Sequence, residues 1–134
     1  MAKPMNVFDI AGRAMSAQLV RLNATASNLA NAGSVSGSQG EAYRAIRPVF
    51  QTVAEKPGVA SVKVDRVVTS EMQATRRHDP GHPLADANGD VWEAGVDSSA
   101  ELVEMIESAR MYQNNVQVMQ TAKSLLLETI RLGK

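Results

Sequence analysis

Two histidines four residues apart, His78 and His82, are the side chains of this sequence whose spacing best suits chemistry. On an α-helix that spacing would direct both imidazoles to one metal ion. Pro80 and Gly81 stand between them, however, and a helix does not continue through that pair. We therefore expect ordinary loop histidines. A small metal-dependent hydrolase using His78, His82 and Asp86 is the least favoured function.

Acidic and amide side chains then alternate at Asp86, Asn88 and Asp90, as in a calcium-binding loop. Gly89 stands before the third candidate ligand, whereas EF-hand spacing places the glycine after it, and no glutamate follows at the twelfth position. The segment is therefore interpreted as a turn.

The other motifs of catalysis are absent from the sequence. It contains no glycine-rich phosphate loop, nucleophile elbow or zinc-hydrolase helix motif, and no cysteine to serve as nucleophile, thiolate ligand or disulfide partner. A serine, histidine and aspartate triad is a spatial arrangement that spacing does not test. We predict no catalytic residue, no metal site and no cofactor, and hence a protein that is not an enzyme.

Charge and hydropathy argue against nucleic acid and membranes as partners. The sequence has 14 basic and 14 acidic residues, so no net field attracts nucleic acid or an anionic membrane. No apolar run approaches the length that spans a bilayer, and Asp9, Arg13 and Arg21 interrupt any signal-peptide core. We expect no nucleic-acid partner, no membrane insertion and no cleaved signal peptide.

Apolar residues near the start of the chain recur at steps of three and four, which predicts a long amphipathic helix. The stripe consists of Phe8, Ala11, Met15, Leu19, Leu22, Ala26 and Leu29. We expect Asn6 as the N-cap, with Asp9 three residues later, and Asn31 with Gly33 as a left-handed C-terminal cap. Small apolar residues away from the stripe, such as Ala17, predict neighbours on both sides of the helix.

A second, longer helix is predicted from residue 98 almost to the end, opened by a capping box of Ser98 and Glu101. Its apolar residues fit a heptad seam in which Lys123 is the single polar position. The seam consists of Leu102, Met105, Ala109, Tyr112, Val116, Met119, Leu126 and Ile130. A second series every seven residues, Met111, Val118, Leu125 and Leu132, falls nearly opposite. One partner helix cannot cover both series.

The middle of the chain is rich in β-branched residues and turns. Residues 45–53 and 59–68 show partial alternation around Pro57-Gly58, which predicts a hairpin. Residues 34–40 are interpreted as a polar loop, and one short strand is expected near Val91 and Trp92. The expected fold class is α+β. Terminal helices (1–33 and 98–134) pack as an antiparallel coiled coil, with a small β-rich segment (34–97) between them.

The two helices are expected to need neighbours. Burying the few large apolar side chains of the first helix stabilises it by less than the backbone entropy lost on ordering its two dozen residues. Pairing the two helices still leaves the second series in water. We therefore expect both ends to be loosely ordered in the free monomer and to fold on association.

Three separated segments resemble one family. Residues 27–32, SNLANA, resemble the signature of bacterial flagellar rod, hook and related axial proteins, and residues 110–116, RMYQNNV, with the closing LG are similar to their C-terminal counterpart. Residues 79–89, DPGHPLADANG, are similar to the mid-chain segment of proximal-rod basal-body proteins of the FlgC type. The chain departs from the family where members usually carry GYV and then PNV, having GDV at 89–91 and AGV at 94–96.

The resemblance implies a structural component of the flagellar rod in the periplasm, exported through the flagellum's own channel without a cleaved signal peptide. The implied partners are copies of itself and other rod proteins in a helical assembly, together with the export apparatus. Torque would pass through the packed helices. The expected assembly-interface residues are Phe8, Met15, Leu22, Asn28, Leu29, Asn31, Leu102, Met105, Arg110, Met111, Tyr112, Asn115, Val116, Val118, Met119, Leu125, Leu126 and Ile130. Among these, Asn28 and Asn31 are expected to hydrogen-bond helix ends or neighbouring subunits.

The alternative is a cytoplasmic coiled-coil adaptor or chaperone-like interaction protein. The heptads alone permit it equally well. Filament-like association with rod proteins would distinguish the two functions.

Overall fold

Helices stand at the two ends of the chain and strands between them, in a computed structural model that describes residues 6–133. This arrangement confirms the predicted α+β class. Neither helix of the described part has the length and apolar content needed to cross a membrane. The elements are α1 (Val7–Ala30), β1 (Val35–Ser36), β2 (Ile46–Lys56), β3 (Val59–Thr69), β4 (Thr75–His78), β5 (Asp90–Glu93) and α2 (Ser98–Leu132).

The start of α1 is capped as predicted, but its end is not. Asn6 Oδ1 accepts a hydrogen bond from the Asp9 backbone N–H at 3.0 Å, and Asp9 Oδ2 accepts one from the Asn6 N–H at 3.1 Å. Asn31 is the C-cap, but its φ of −102° is not left-handed, so that part of the prediction was wrong. The Asn31 amide instead donates to the Ser27 carbonyl at 2.8 Å. The Ser27 carbonyl thus accepts from both the backbone N–H and the side chain of Asn31, without the special backbone conformation.

The predicted capping box of α2 was wrong. Asp97, one residue earlier than expected, is the N-cap, and its Oδ1 accepts from the N–H groups of Ser99 and Ala100 at 3.1 and 3.2 Å. A carboxylate at this position also interacts favourably with the positive end of the helix dipole. Glu101 is therefore not needed at the cap, and its side chain is buried elsewhere.

The predicted hairpin is confirmed. β2 pairs antiparallel with β3, and Lys56 lies opposite Val59 across Pro57 and Gly58. Gly58 has φ +78°, a conformation that glycine adopts without strain. The hairpin packs along α1, where Arg13 Nη1 donates to Glu55 Oε1 at 2.8 Å.

A second, three-stranded sheet has the order β1-β5-β4. Its central strand, β5, forms where a strand was expected, whereas β1 and β4 were not predicted. β1 has only two residues within a segment interpreted as loop, and every residue of β4 is exposed and polar, so neither carries an apolar alternation. The segment between β4 and β5 is an ordered turn, as predicted, because Asp86 Oδ1 accepts from the backbone N–H groups of Asn88 and Asp90.

The two helices pack against each other and run in opposite directions. Asn28, near the end of α1, contacts Glu101 in the first turns of α2. Arg21 contacts Glu104, and Val7 lines a cleft with Val118. The knobs-into-holes packing of a coiled coil stays a prediction.

A small core of short side chains joins the two ends of the β-rich segment. Gly95 donates its N–H to the Tyr43 carbonyl at 2.8 Å, and its own carbonyl accepts from the Ala45 N–H at 3.3 Å. Ala45, Ala74 and Ala94 are buried around this crossing. The chain therefore approaches its own backbone closely here, which only small residues allow.

Gly95 and Gly12 make a matched pair of substitutions that tests this close approach. A Cβ on Gly95 would lie 2.5 Å from the Met72 carbonyl oxygen, whereas a Cβ on Gly12 in α1 meets nothing within 4 Å. Gly95→Ala should lower the free energy of unfolding by about 1 to 3 kcal/mol through overpacking. Gly12→Ala should raise it by up to about 1 kcal/mol through helix propensity. Urea denaturation measures both, and equal midpoints for the two variants would contradict the close approach.

Candidate assembly surface

The side of α2 that is least exposed is not the predicted apolar seam. Low exposure recurs at alternating steps of four and three, a pattern that marks the side facing α1. We call this set the inner seam: Glu101, Met105, Ser108, Tyr112, Asn115, Met119 and Ala122. Met105, Tyr112 and Met119 were predicted, but Leu102, Leu126 and Ile130 are 52%, 50% and 52% exposed. Leu126 and Ile130 lie in the last turns of α2, where every residue from 123 to 133 is exposed, so only Leu102 counts against the predicted seam. Over residues 101–122 the predicted seam was wrong by roughly 50° about the helix axis.

The inner seam is notably polar. Glu101 and Ser108 are fully buried, and the Ser108 hydroxyl donates to the Glu104 carbonyl of its own helix at 2.7 Å. Asn115 likewise donates to the Met111 carbonyl at 2.9 Å. On α1, Thr25 and Asn28 are buried as well. Such side chains do not drive association by burying apolar area.

Asn28 uses its whole hydrogen-bonding capacity inside the subunit. Its Nδ2 donates to the Ile46 carbonyl and to Glu101 Oε2, both at 3.0 Å. Its Oδ1 accepts from the Tyr43 hydroxyl at 2.8 Å and from the Ile46 N–H at 2.9 Å. A side-chain amide has two donor hydrogens and two acceptor lone pairs, so all four are occupied. Asn28 thereby joins α1, the start of β2 and α2.

Glu101 is the other centre of this cluster. Its Oε2 accepts from Asn28, and its Oε1 forms an ion pair with Arg47 of β2, at an angle outside that of a hydrogen bond. The carboxylate is fully buried, whereas the Arg47 side chain is 39% exposed. A buried charge is tolerated only when it is paired and hydrogen-bonded. We call Asn28, Tyr43, Arg47 and Glu101 the polar lock.

The large apolar side chains of α2 lie mostly outside the inner seam. Val118 and Leu125 are 46% and 59% exposed, and with Met111 and Leu132 they recur every seven residues. We call these four the outer stripe. Its position follows from Glu104, which pairs with Arg21 of α1 at 2.8 Å, because Met111 and Val118 follow Glu104 at seven-residue intervals. The outer stripe therefore continues the side of α2 on which Arg21 lies.

A second apolar face lies on the other side of the helix pair. In α1, Phe8, Met15, Leu22 and Leu29 recur every seven residues and are half-buried. At 100° per residue they lie on the flank of α1 away from Arg21. In α2, Leu102, Ala109 and Val116 lie about half a turn from the outer stripe and next to that flank. We call these residues the two-helix face, defined by Phe8, Met15, Leu22, Leu29, Leu102, Ala109 and Val116.

The sequence-predicted site residues therefore fall into five groups. Met105, Tyr112, Asn115 and Met119 line the inner seam, and Asn28 and Asn31 bond within their own chain. Phe8, Met15, Leu22, Leu29, Leu102 and Val116 form the two-helix face, and Met111, Val118 and Leu125 the outer stripe. Arg110, Leu126 and Ile130 are exposed outside these sets. Sequence reasoning missed Tyr43, Arg47 and the burial of Glu101, because apolar periodicity does not detect polar side chains.

The histidines have partners of their own. His78 Nδ1 lies 2.9 Å from Asp90 Oδ1, and His82 Nδ1 accepts from the Leu84 N–H at 3.0 Å. Within residues 6–133, no three histidine, aspartate or glutamate side chains are grouped to hold a metal ion. His82 lies in the loop, as expected, whereas His78 is the last residue of strand β4, so its interpretation as a loop histidine was wrong.

Comparison with known proteins identifies the family of this chain. Residues 8–37 match the family of flagella basal body rod proteins, and residues 87–132 match the C-terminal family of the flagellar basal body rod FlgEFG proteins. The hairpin lies between the two matched segments. The flagellar basal-body rod proteins FlgC of Salmonella typhimurium and Escherichia coli O157:H7 are each 48% identical over 132 residues, covering 97% of this chain and 98% of theirs. FlgC of Buchnera aphidicola from Acyrthosiphon pisum is 35% identical over 133 residues, with the same coverage.

The polar lock can be tested with an isosteric change. Asn28→Asp removes both donor hydrogens and places a carboxylate beside Glu101, so two acceptors are left unpaired and two negative charges meet in a buried site. We expect the free energy of unfolding to fall by about 2 to 4 kcal/mol. Urea denaturation at neutral pH measures it. Asn23→Asp, on an exposed position of the same helix, is the control and should change stability by less than about 0.5 kcal/mol. Equal stability of the two variants would show that Asn28 does not hold the lock together.

Proposed function

This chain belongs to the FlgC family of flagellar basal-body rod proteins, and from that premise we propose that it builds the proximal rod through its two terminal helices. Its partners are copies of itself and other rod proteins. It works in the periplasm and reaches the rod through the flagellar export apparatus. The observation that carries the proposal is the apolar surface on two sides of the helix pair, which a single copy leaves exposed along the outer stripe and only half-buried over most of the two-helix face.

The arrangement of that surface favours assembly into a helical array. The outer stripe and the two-helix face lie on opposite sides of the helix pair, so they cannot cover each other within one copy. Two different faces that meet between copies form a heterologous contact, which repeats into a ring or a helical filament. A contact of one face with itself would instead close into a dimer. The outer stripe of one subunit therefore packs on the two-helix face of a neighbour.

The residues proposed to meet neighbouring subunits follow from this division. They are Phe8, Met15, Leu22, Leu29, Leu102, Met111, Val116, Val118 and Leu125, with Arg110, Leu126 and Ile130 as further exposed candidates. Met105, Tyr112, Asn115, Met119, Asn28 and Asn31 contribute by fixing the coiled-coil packing of the helix pair and its end. Each subunit thus presents its apolar faces at a set angle.

Torque transmission requires such packing. A shaft built from helices that interdigitate across several interfaces resists shear, because close-packed side chains cannot slide without losing contacts over the whole interface. The polar lock adds a fixed joint between the helix pair and the hairpin, so that the subunit turns as one body.

A single charge on the outer stripe tests the assembly proposal. Val118→Asp places a carboxylate on a face that a neighbouring subunit would bury, where an unpaired charge is strongly disfavoured. We expect loss of swimming in soft agar and loss of the rod from isolated basal bodies. The purified monomer should keep its free energy of unfolding within about 1 kcal/mol, because the side chain is half exposed.

The control for this variant is Ser124→Asp on the same helix. Residue 124 is exposed and lies outside both the outer stripe and the two-helix face. The Ser124→Asp variant carries the same new charge as Val118→Asp and should leave swimming normal. Normal swimming of the Val118→Asp strain would refute the place of this stripe in the interface.

The end of α2 tests whether association orders the helices. Every residue from 123 to 133 is exposed, so little tertiary contact stabilises these last turns in an isolated chain. In dilute monomer we expect these amides to exchange hydrogen at least about tenfold faster than those of residues 24–29 and 101–108 around the lock. Far-ultraviolet circular dichroism should show helicity rising on assembly. Equal protection along all of α2 at micromolar dilution would count against folding on association.

A further inference from the structure

Helix α2 carries two overlapping seams, only one of which faces α1. The inner seam places Glu101, Ser108 and Asn115 between Met105, Tyr112 and Met119. The second seam shares Met105, Tyr112 and Met119 with the first. In place of Glu101, Ser108 and Asn115 it has the next residue in each case: Leu102, Ala109 and Val116. It continues through Leu126 and Ile130. We call it the latent seam. At 100° per residue, a rotation of α2 by roughly 50° about its axis would exchange one seam for the other.

Burial of apolar area favours the latent seam. Turning it inward would replace a carboxylate, a hydroxyl and an amide at the α1 contact by leucine, alanine and valine. The present seam is also imperfectly satisfied, since Gln18 of α1 has a buried Oε1 with no hydrogen-bond partner among the described residues. Something other than the hydrophobic effect therefore holds α2 at its observed rotation.

The polar lock supplies that restraint. Glu101 is wholly buried, and its two oxygens engage Asn28 of α1 and Arg47 of β2. Asn28 is itself held by the Tyr43 hydroxyl and by both backbone groups of Ile46, so it cannot follow a turning helix. Rotation of α2 would carry the carboxylate away from both partners and leave an Asn28 N–H buried without an acceptor.

We propose that Glu101 is a positioning residue that fixes the rotation of α2, keeping a polar seam inside so that the latent seam's leucine and valine stay on the surface. A polar side chain that selects one register at a cost in stability is well attested in coiled coils. Here it selects which face of a helix the subunit presents. The restraint acts within one chain, so it does not depend on rod assembly.

Single cysteines report the rotation directly, because the sequence contains no cysteine of its own. Leu102→Cys places a thiol on a residue that is 52% exposed, and Ser108→Cys places one on a residue that is fully buried. With Glu101 present, the thiol at position 102 should react with a soluble maleimide much faster than the thiol at 108. In the Glu101→Leu background, the ratio of the two rates should fall by about tenfold or more, as 102 turns inward and 108 outward.

Three further variants make the result decisive. Glu101→Gln keeps the shape of the side chain and one acceptor oxygen, enough for Asn28 or Arg47 but not for both, and should give a ratio between the native one and that of Glu101→Leu. Glu107→Leu is the control. It removes a carboxylate of the same helix that is 56% exposed and lies 3.6 Å from Arg21, outside the polar lock, and it should leave the ratio unchanged. Glu101→Leu combined with Arg47→Leu removes both charges of the ion pair, so it tests the rotation if the single variant fails to fold because Arg47 is left unpaired.

The outcomes separate rotation from simple loosening. A slower reaction at 102 together with a faster one at 108, in a variant that keeps its circular dichroism, supports the proposal. A native ratio in the folded Glu101→Leu protein, or in the double variant, overturns it. Faster reaction at both positions would also overturn it, because the lock would then stabilise the fold without selecting the rotation of α2.

Discussion

The contact between Asn28 and Glu101, tied to the hairpin by Arg47, is the interaction on which the rest of the structure depends. It lies where the end of α1, the start of β2 and the first turns of α2 meet, and it joins residues 73 positions apart in sequence. Burying a carboxylate costs free energy that its partners only partly offset, so the cluster is a poor source of stability. The cluster nevertheless requires a precise geometry, because each side chain supplies the hydrogen-bond or ion-pair partner of another. The value of the lock is in specifying one arrangement of three segments.

That specification explains an otherwise odd distribution of side chains. In a soluble helix pair, the apolar residues are expected between the helices and the polar ones outside. In this rod protein small and polar residues share the helix contact with Met105, Tyr112 and Met119, while the leucines and valines of α2 lie mostly on two outward faces. The reversal is consistent with a subunit whose deepest apolar contacts are made with its neighbours. A helix pair held by directional hydrogen bonds can keep its shape before its apolar surface is buried against neighbouring subunits.

Local patterns were enough to predict both helices, the hairpin and the cap at Asn6, because each depends on residues within a few positions of one another. Local patterns were not enough to predict which side of α2 faces α1. Periodicity weighs apolar residues alone, so it selected Leu102 and Val116 over Glu101 and Asn115, whose burial depends on Asn28 and Arg47 far away in sequence. Strand β4 was missed for a related reason: Arg76 and Arg77 have no strand signal of their own, and their pairing with β5 supplies the structure. The resemblance to rod proteins depended on motif residues such as Asn28, whose structural role could be seen only in the fold.

The hairpin gives the lock a further consequence for the assembled rod. It lies between the two segments that match rod-protein families, and it packs along the flank of α1 opposite the two-helix face. Arg47 lies near the start of β2, and its guanidinium pairs with the buried carboxylate of Glu101 in α2. A force on the hairpin or on α2 would therefore be transmitted to the other through this ion pair and the side-chain amide of Asn28. Any neighbour that pushes on the hairpin therefore acts on the rotation of α2, which sets the direction of the outer stripe. Contacts made by the hairpin, which lies outside the two segments matched by the rod families, would in this way be coupled to contacts made by the helices, with no need for the two surfaces to touch.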